Sequence, residues 1–152
     1  MSKVIVYHGT TIDRAKRILQ DRVLRTTDAA VCRYEDTAKG FVYVTKRLCD
    51  ALDFSTRPEV DKDTLVFAVF KICIDEQELI PDEDESKWQS TLSDDGAKEC
   101  YKVQRDLIVG KDVIAVFGKR MPTYNVLGDY MQAIQYGEKE IKESEWKELC
   151  HD

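Results

Sequence analysis

Apolar positions along this 152-residue chain follow two rhythms, one of period two or less and one of helical period. Lys3 to Tyr7 is a short, continuous apolar run and predicts a buried strand. Ile12, Ala15, Ile18 and Leu19 then recur at helical spacing and predict a helix over about 12–20. Thr10 and Asp13 stand in the Ser/Thr-x-x-Asp/Glu order of a capping box at its start. Residues 25–39 are polar and aperiodic, which predicts a loop with at most one helical turn. Phe41 to Thr45 predicts a second short strand. Leu48, Ala51, Leu52 and Phe54 predict a short helix behind it, ended at Arg57-Pro58-Glu59 because the residue before a proline is pushed out of the α region. Thr64 to Ile74, rich in Val, Phe and Ile, is the longest β-like run and predicts a central strand.

Residues 82–95 form an acidic, irregular stretch that reads as a solvated loop pinned to the body by Trp88. Cys100 to Val103 and Leu107 to Val109 read as strand pieces joined at Gln104-Arg105-Asp106, and Val113 to Phe117 as another strand. The pattern then turns helical, first from Tyr124 to Tyr136 and again from Glu138 to Leu149. Ile141, Trp146 and Leu149 give the last helix its packing stripe, so a helical extension is expected over about 124–150. Repeats, linkers and low-complexity tracts are absent from the sequence, and one domain over 1–152 is the simplest account.

Composition narrows the class. A 43% hydrophobic and 34% charged chain is ordinary for a globular protein. No apolar run approaches the roughly 18 residues of a membrane span, and the first residues lack a signal-peptide layout, so the expected location is cytoplasmic, with no membrane partner. The net charge of −6 and the lack of a basic block argue against an extended nucleic-acid footprint. Arg14, Lys16, Arg17, Arg22 and Arg25 do cluster around the first helix, where they read first as a solvated face. Five cysteines at irregular spacings, with no CxxC, read as reduced thiols behaving as small hydrophobes, with no metal site expected. The glycine fingerprints of Rossmann and P-loop nucleotide sites are missing.

The candidate chemistry lies at strand ends. His8 is one of two histidines, the other being His151, and it closes the first strand with Gly9 directly behind it. There a side chain and bare backbone can both meet a ligand. Taken singly, His8 reads as a structural histidine, Tyr43 as a core aromatic and any one Glu as a surface acid. Taken together, the three residue types can bond a ribose hydroxyl, offer a π face to a planar ring and stabilise positive charge on a sugar carbon.

Three segments carry a resemblance: Tyr7-His8-Gly9-Thr10; Gly40 to Thr45 with Ala51 and Phe54 behind it; and Lys98-Glu99-Cys100-Tyr101-Lys102-Val103. In that order they resemble the ADP-ribosyltransferase superfamily. The likeness is strongest to its H-Y-E branch, which includes the diphtheria-toxin-like and poly(ADP-ribose) polymerase enzymes and small bacterial members. Val69 to Asp82 resembles the middle strand and turn of those small members, and the likeness spans about residues 4–110. The resemblance implies an α+β fold of split antiparallel β-sheets with flanking helices. It implies NAD as substrate and a mono-ADP-ribosyltransferase that passes ADP-ribose to an unidentified acceptor with release of nicotinamide. On that reading His8 bonds the ribose of NAD, Gly9 offers backbone to the carboxamide, Thr10 belongs to the same binding set, and Tyr43 stacks on the nicotinamide. Glu99 bonds the nicotinamide ribose and stabilises the oxocarbenium-like transition state. Glu78, Glu83 and Glu85 are the other acids open to the third role. Two alternatives stand beside it: an RNA 2′-phosphotransferase-like enzyme, and a catalytically silent module of the same fold that binds a nucleotide or a protein.

Overall fold

The computed structural model describes residues 2–26, 40–56, 65–81, 100–121 and 123–149. Strand β1 covers Lys3–Thr11, four residues beyond the end expected from the apolar run. It continues because its partner does: β4, Leu65–Asp75, pairs with it antiparallel from Lys3–Asp75 to Thr11–Phe67 without a break. Helix α1 follows over Ile12–Asp21. Its N-cap is Thr11, whose Oγ1 accepts from the Arg14 amide at 3.4 Å, so the cap sits one residue later than the Thr10–Asp13 box predicts. Thr10 stays in the strand, buried opposite Ala68. The helix ends at Arg22 in the left-handed region (φ 58°), a position that ordinarily favours glycine.

The remaining elements are β2 (Val23–Leu24), β3 (Val42–Thr45), α2 (Leu48–Thr56), β5 (Ile80–Pro81), β6 (Cys100–Val103), β7 (Leu107–Ile108), β8 (Val113–Met121), α3 (Tyr124–Gln135) and β9 (Lys147–Glu148). Single 3₁₀ turns occupy Glu76–Glu78 and Glu143–Glu145. Seven strands form one antiparallel sheet in the order β5-β6-β3-β1-β4-β8-β9, and β2 pairs with β7 apart from it. Among the described residues the architecture is therefore α+β, mostly antiparallel sheet with three helices. The described strands are one hydrogen-bonded order rather than two separate sheets. Yet β1 and β3 meet in register only at Tyr7–Thr45, so the sheet is nearly parted there.

Both faces of the sheet are covered, as the alternation of side chains requires. Val6, Val42, Val44, Ala68, Phe70 and Ile72 face α1 and the β2–β7 ribbon. Phe67, Val69, Ala115 and Phe117 face α2, α3 and Trp146. The expected helix over 138–149 is not formed. After α3 the chain makes a turn, the short 3₁₀ turn and β9, which pairs with Ala115 and Val116 of β8. The apolar stripe is real but serves docking: Trp146 is buried against Tyr7 and Phe117, with ring centroids 6.0 and 5.8 Å away. Tertiary contacts of this size override the modest helix propensity of a Glu/Lys-rich segment. Of the loop expected over 25–39, Arg25 and Thr26 are neither helix nor strand and 27–39 lie outside the described residues, as do the expected loop at 82–95 with Trp88 and the break at Pro58. Among the described residues, no helix is long and apolar enough to cross a membrane.

Candidate active site

Of the predicted site residues, His8 and Tyr43 flank the opening between β1 and β3. Continued past Tyr7–Thr45, the register would set Gly9 opposite Tyr43. Instead of a further ladder pair, the His8 side chain reaches across: Nδ1 donates to the Tyr43 carbonyl at 2.7 Å. A carbonyl only accepts, so the proton of a neutral imidazole sits on Nδ1 and Nε2 carries the free lone pair. Burial pushes the His8 pKa below the ordinary histidine range. The bond to Tyr43 works the other way, and the positive charge of Arg14 lowers the pKa further. His8 is thus a neutral imidazole at neutral pH with its tautomer fixed by the neighbouring strand.

Gly9 is half-buried and stands opposite Val69 on β4, and Thr10 is buried in the same ladder. Tyr43 is half-buried on β3, opposite Lys102 of β6. Alternation sets its ring with Phe41 and Thr45 rather than with His8, so the backbone of Tyr43, not its ring, meets the imidazole. The Lys102 ammonium lies 4.5 Å from the Phe41 ring beside it. Glu99, Glu83 and Glu85 lie outside the described residues. Cys100, the residue bonded to Glu99 in the chain, begins β6 directly opposite Thr45, which is itself opposite Tyr7. The row Tyr7–Thr45–Cys100 crosses three adjacent strands, about 10 Å end to end at the usual strand spacing.

Glu78, the remaining candidate acid, is engaged elsewhere. Arg105 grips it with Nε at 2.6 Å and Nη2 at 3.2 Å, and holds Asp112 with Nη1 at 2.9 Å and Nη2 at 3.1 Å. The Asp112 carboxylate also accepts from the Ile108 amide at 2.9 Å. The Arg105 bond holds the Glu78 pKa below the carboxylate range against some desolvation. Burial alone would raise Asp112, but Arg105, the Ile108 amide and the nearby Lys111 charge bring it down. This clamp joins the turn after β4 to the β6–β7 loop and the start of β8. Sequence reasoning missed it, because its three members are separated by 27 and 7 residues and follow no local motif.

A groove of about 590 Å³ opens on the other face of β1, lined by Tyr7, Lys71, Glu143 and Trp146 among others. Lys71 lies 4.6 Å over the Trp146 ring there. Since Tyr7 and His8 alternate across the strand, this groove and the imidazole are on opposite sides of the sheet.

No protein-family model matches this sequence, and no curated protein matches it. What the site can do therefore rests on its own geometry. A fixed neutral imidazole accepts a hydrogen bond from a hydroxyl at Nε2, and the backbone at Gly9 admits a planar group without a side chain in the way. Among the described residues, no group of three or more His, Cys, Asp or Glu side chains is placed to hold a metal ion.

Proposed function

We propose that this protein is an NAD-dependent mono-ADP-ribosyltransferase acting at the opening between β1 and β3. The observation that carries the reading is the 2.7 Å bond from His8 Nδ1 to the Tyr43 carbonyl. It links the first two elements of the resemblance and leaves Nε2 as an acceptor for a ribose hydroxyl. NAD supplies the reactive bond between nicotinamide and C1′ of its ribose. The chain's own work is to orient that ribose through His8 and offer backbone at Gly9 to the carboxamide; the Tyr43 ring, which leaves β3 on the other face from His8, would reach the nicotinamide through the opening between the strands. Glu99 holds the ribose hydroxyl and stabilises the positive charge that develops as nicotinamide leaves. The sequence reading of a cytoplasmic enzyme belongs to this proposal.

The test is release of nicotinamide from labelled NAD, followed by capture of the label on an acceptor. Glu99→Gln keeps size and removes charge, so kcat and kcat/KM should fall together, by about 10²–10³-fold, with NAD affinity little changed. Glu78→Gln should turn over normally when folded, because Arg105 already occupies that carboxylate. A dead Glu78→Gln beside an active Glu99→Gln would reassign the third position. NAD binding with no turnover in the wild type would favour the silent-module reading.

A further inference from the structure

We propose that the basic face of α1 and the turn after it dock a single-stranded nucleic acid, which serves as the ADP-ribose acceptor. The inference rests on the NAD reading for the transfer, though not for the binding. Residues 12–25 carry five cations (Arg14, Lys16, Arg17, Arg22 and Arg25) against two carboxylates, Asp13 and Asp21, in a chain whose net charge is −6. The stretch thus carries a formal +3 (5 − 2) and the rest of the chain −9 (−6 − 3), so an anion is drawn to this stretch rather than to the chain as a whole. All five cations are exposed. Arg25 is held by Asp21 at 2.8 Å, whereas Lys16 and Arg17 make no ion pair with any other described residue.

The position of the patch matters as much as its sign. Helix α1 starts four residues after His8 and packs with Val6, Val42 and Val44, on the sheet face that carries the imidazole. A ligand lying along α1 from the Arg22 end therefore arrives at the opening between β1 and β3. The helix is about 15 Å long, whereas a diphosphate is shorter than one helical turn. The NAD diphosphate could meet the cation nearest His8 but could not reach from Arg14 to Arg25, which a strand of successive phosphates can. A single strand suits a half-buried target better than a duplex, because an unstacked base or a free end reaches a ribose held at His8 more readily than a group inside a helix. In the transfer, an acceptor oxygen or nitrogen bonds to C1′ as the C1′–nitrogen bond breaks. Nicotinamide leaves with the electron pair and the acceptor's proton passes to water.

Fluorescence anisotropy with a labelled single-stranded DNA of about 20 nucleotides, and with the RNA of the same sequence, tests the docking. Neutralising about four phosphates gives a slope of log K against log salt near −3. K16E/R17E should weaken binding at least tenfold at about 50 mM salt and flatten the slope by about 1.4, with K16Q/R17Q intermediate. K142E/K147E, with the same change in net charge on exposed residues away from α1, should bind as the wild type does. Nicotinamide release without oligonucleotide should persist in K16E/R17E, while label transfer to the strand should fall with affinity. Salt-independent binding, equal binding by K16E/R17E, or equal affinity for polyglutamate or duplex DNA would overturn the docking and leave the NAD reading intact. Strand binding that follows this pattern without any nicotinamide release from NAD would keep the surface, remove its role as acceptor site, and sink the NAD reading instead.

Discussion

At the scale of single residues, His8 carries the most testable chemistry. Its folded pKa lies below its unfolded value, so the unfolded state binds more protons between the two. Stability is then full near neutral pH and falls as pH drops below about 6.5, the ordinary histidine value. His8→Asn keeps a donor near the Tyr43 carbonyl and cannot titrate. It should flatten the slope of stability between about pH 7 and 5 in denaturant melts, whereas His8→Ala should also cost about 1 kcal/mol for the lost bond. An NMR titration that gives His8 an elevated pKa would contradict this. Tyr43 makes a separate point. Its carbonyl holds His8, so side-chain substitutions leave that bond in place. Tyr43→Phe should bind NAD as the wild type does, and Tyr43→Ala should bind about 2–12-fold more weakly by calorimetry, the worth of one stacked ring. Equal loss in both variants would move the role from the ring to the hydroxyl. The placement of His8 and Tyr43 on strands could be read from the sequence because each belongs to a short apolar run, but β1 runs on to Thr11, pinned by β4, so His8 lies inside the strand rather than at its end. The His8–Tyr43 bond could not be read, because it spans 35 residues and depends on the sheet opening at that point.

At the scale of elements, the sequence pattern located β1, α1, β3, α2, β4, β6, β8 and α3 to within a few residues, because each has its own apolar period. It failed where pairing, not periodicity, decides the conformation. β9 is two residues of Glu/Lys-rich chain that become strand only because β8 offers an edge and Trp146 a buried anchor. The Thr11 cap was displaced from Thr10 by β4, which keeps Thr10 in the ladder. The Arg105 clamp is the clearest case of an element held by chemistry far from it in the chain. The side chain of Asp112 is only 7% exposed, so removing Arg105 strands a buried carboxylate. Arg105→Ala should cost about 2–4 kcal/mol in chemical denaturation, less than a fully buried pair because Arg105 and Glu78 are partly in water. Glu78 and Asp112 both have depressed pKa values, so this stability is present above the ordinary carboxylate pKa of about 4 and is lost as pH falls through the lower folded values. The wild type should therefore lose stability in two steps on acidification, the His8 step first, and Arg105→Ala should lack most of the second.

At the scale of the whole molecule, the sheet divides into unequal halves. β1, β4 and β8 are joined by long ladders through the centre of both apolar clusters, continuous between β1 and β4 and shifted once, at Lys71–Ile72, between β4 and β8. β3, β6 and β5 are short and attach to β1 through the single pair Tyr7–Thr45 and the His8–Tyr43 bond. Local opening follows the density of buried contacts and ladder bonds, so the smaller half should open at lower free energy than the larger. Native-state hydrogen exchange should find the slowest amides in β1, β4 and β8 and faster, mutually correlated exchange in β3 and β6. A ligand that touches both halves stabilises the closed arrangement by its differential affinity for it. NAD held by His8 on β1 and by Tyr43 on β3 should therefore slow exchange in β3 and β6 more than in β4 and β8, and His8→Ala should abolish that difference. Uniform protection on adding NAD would mean that the nucleotide binds one half alone. The opening between β1 and β3 would then be a feature of the fold with no part in binding.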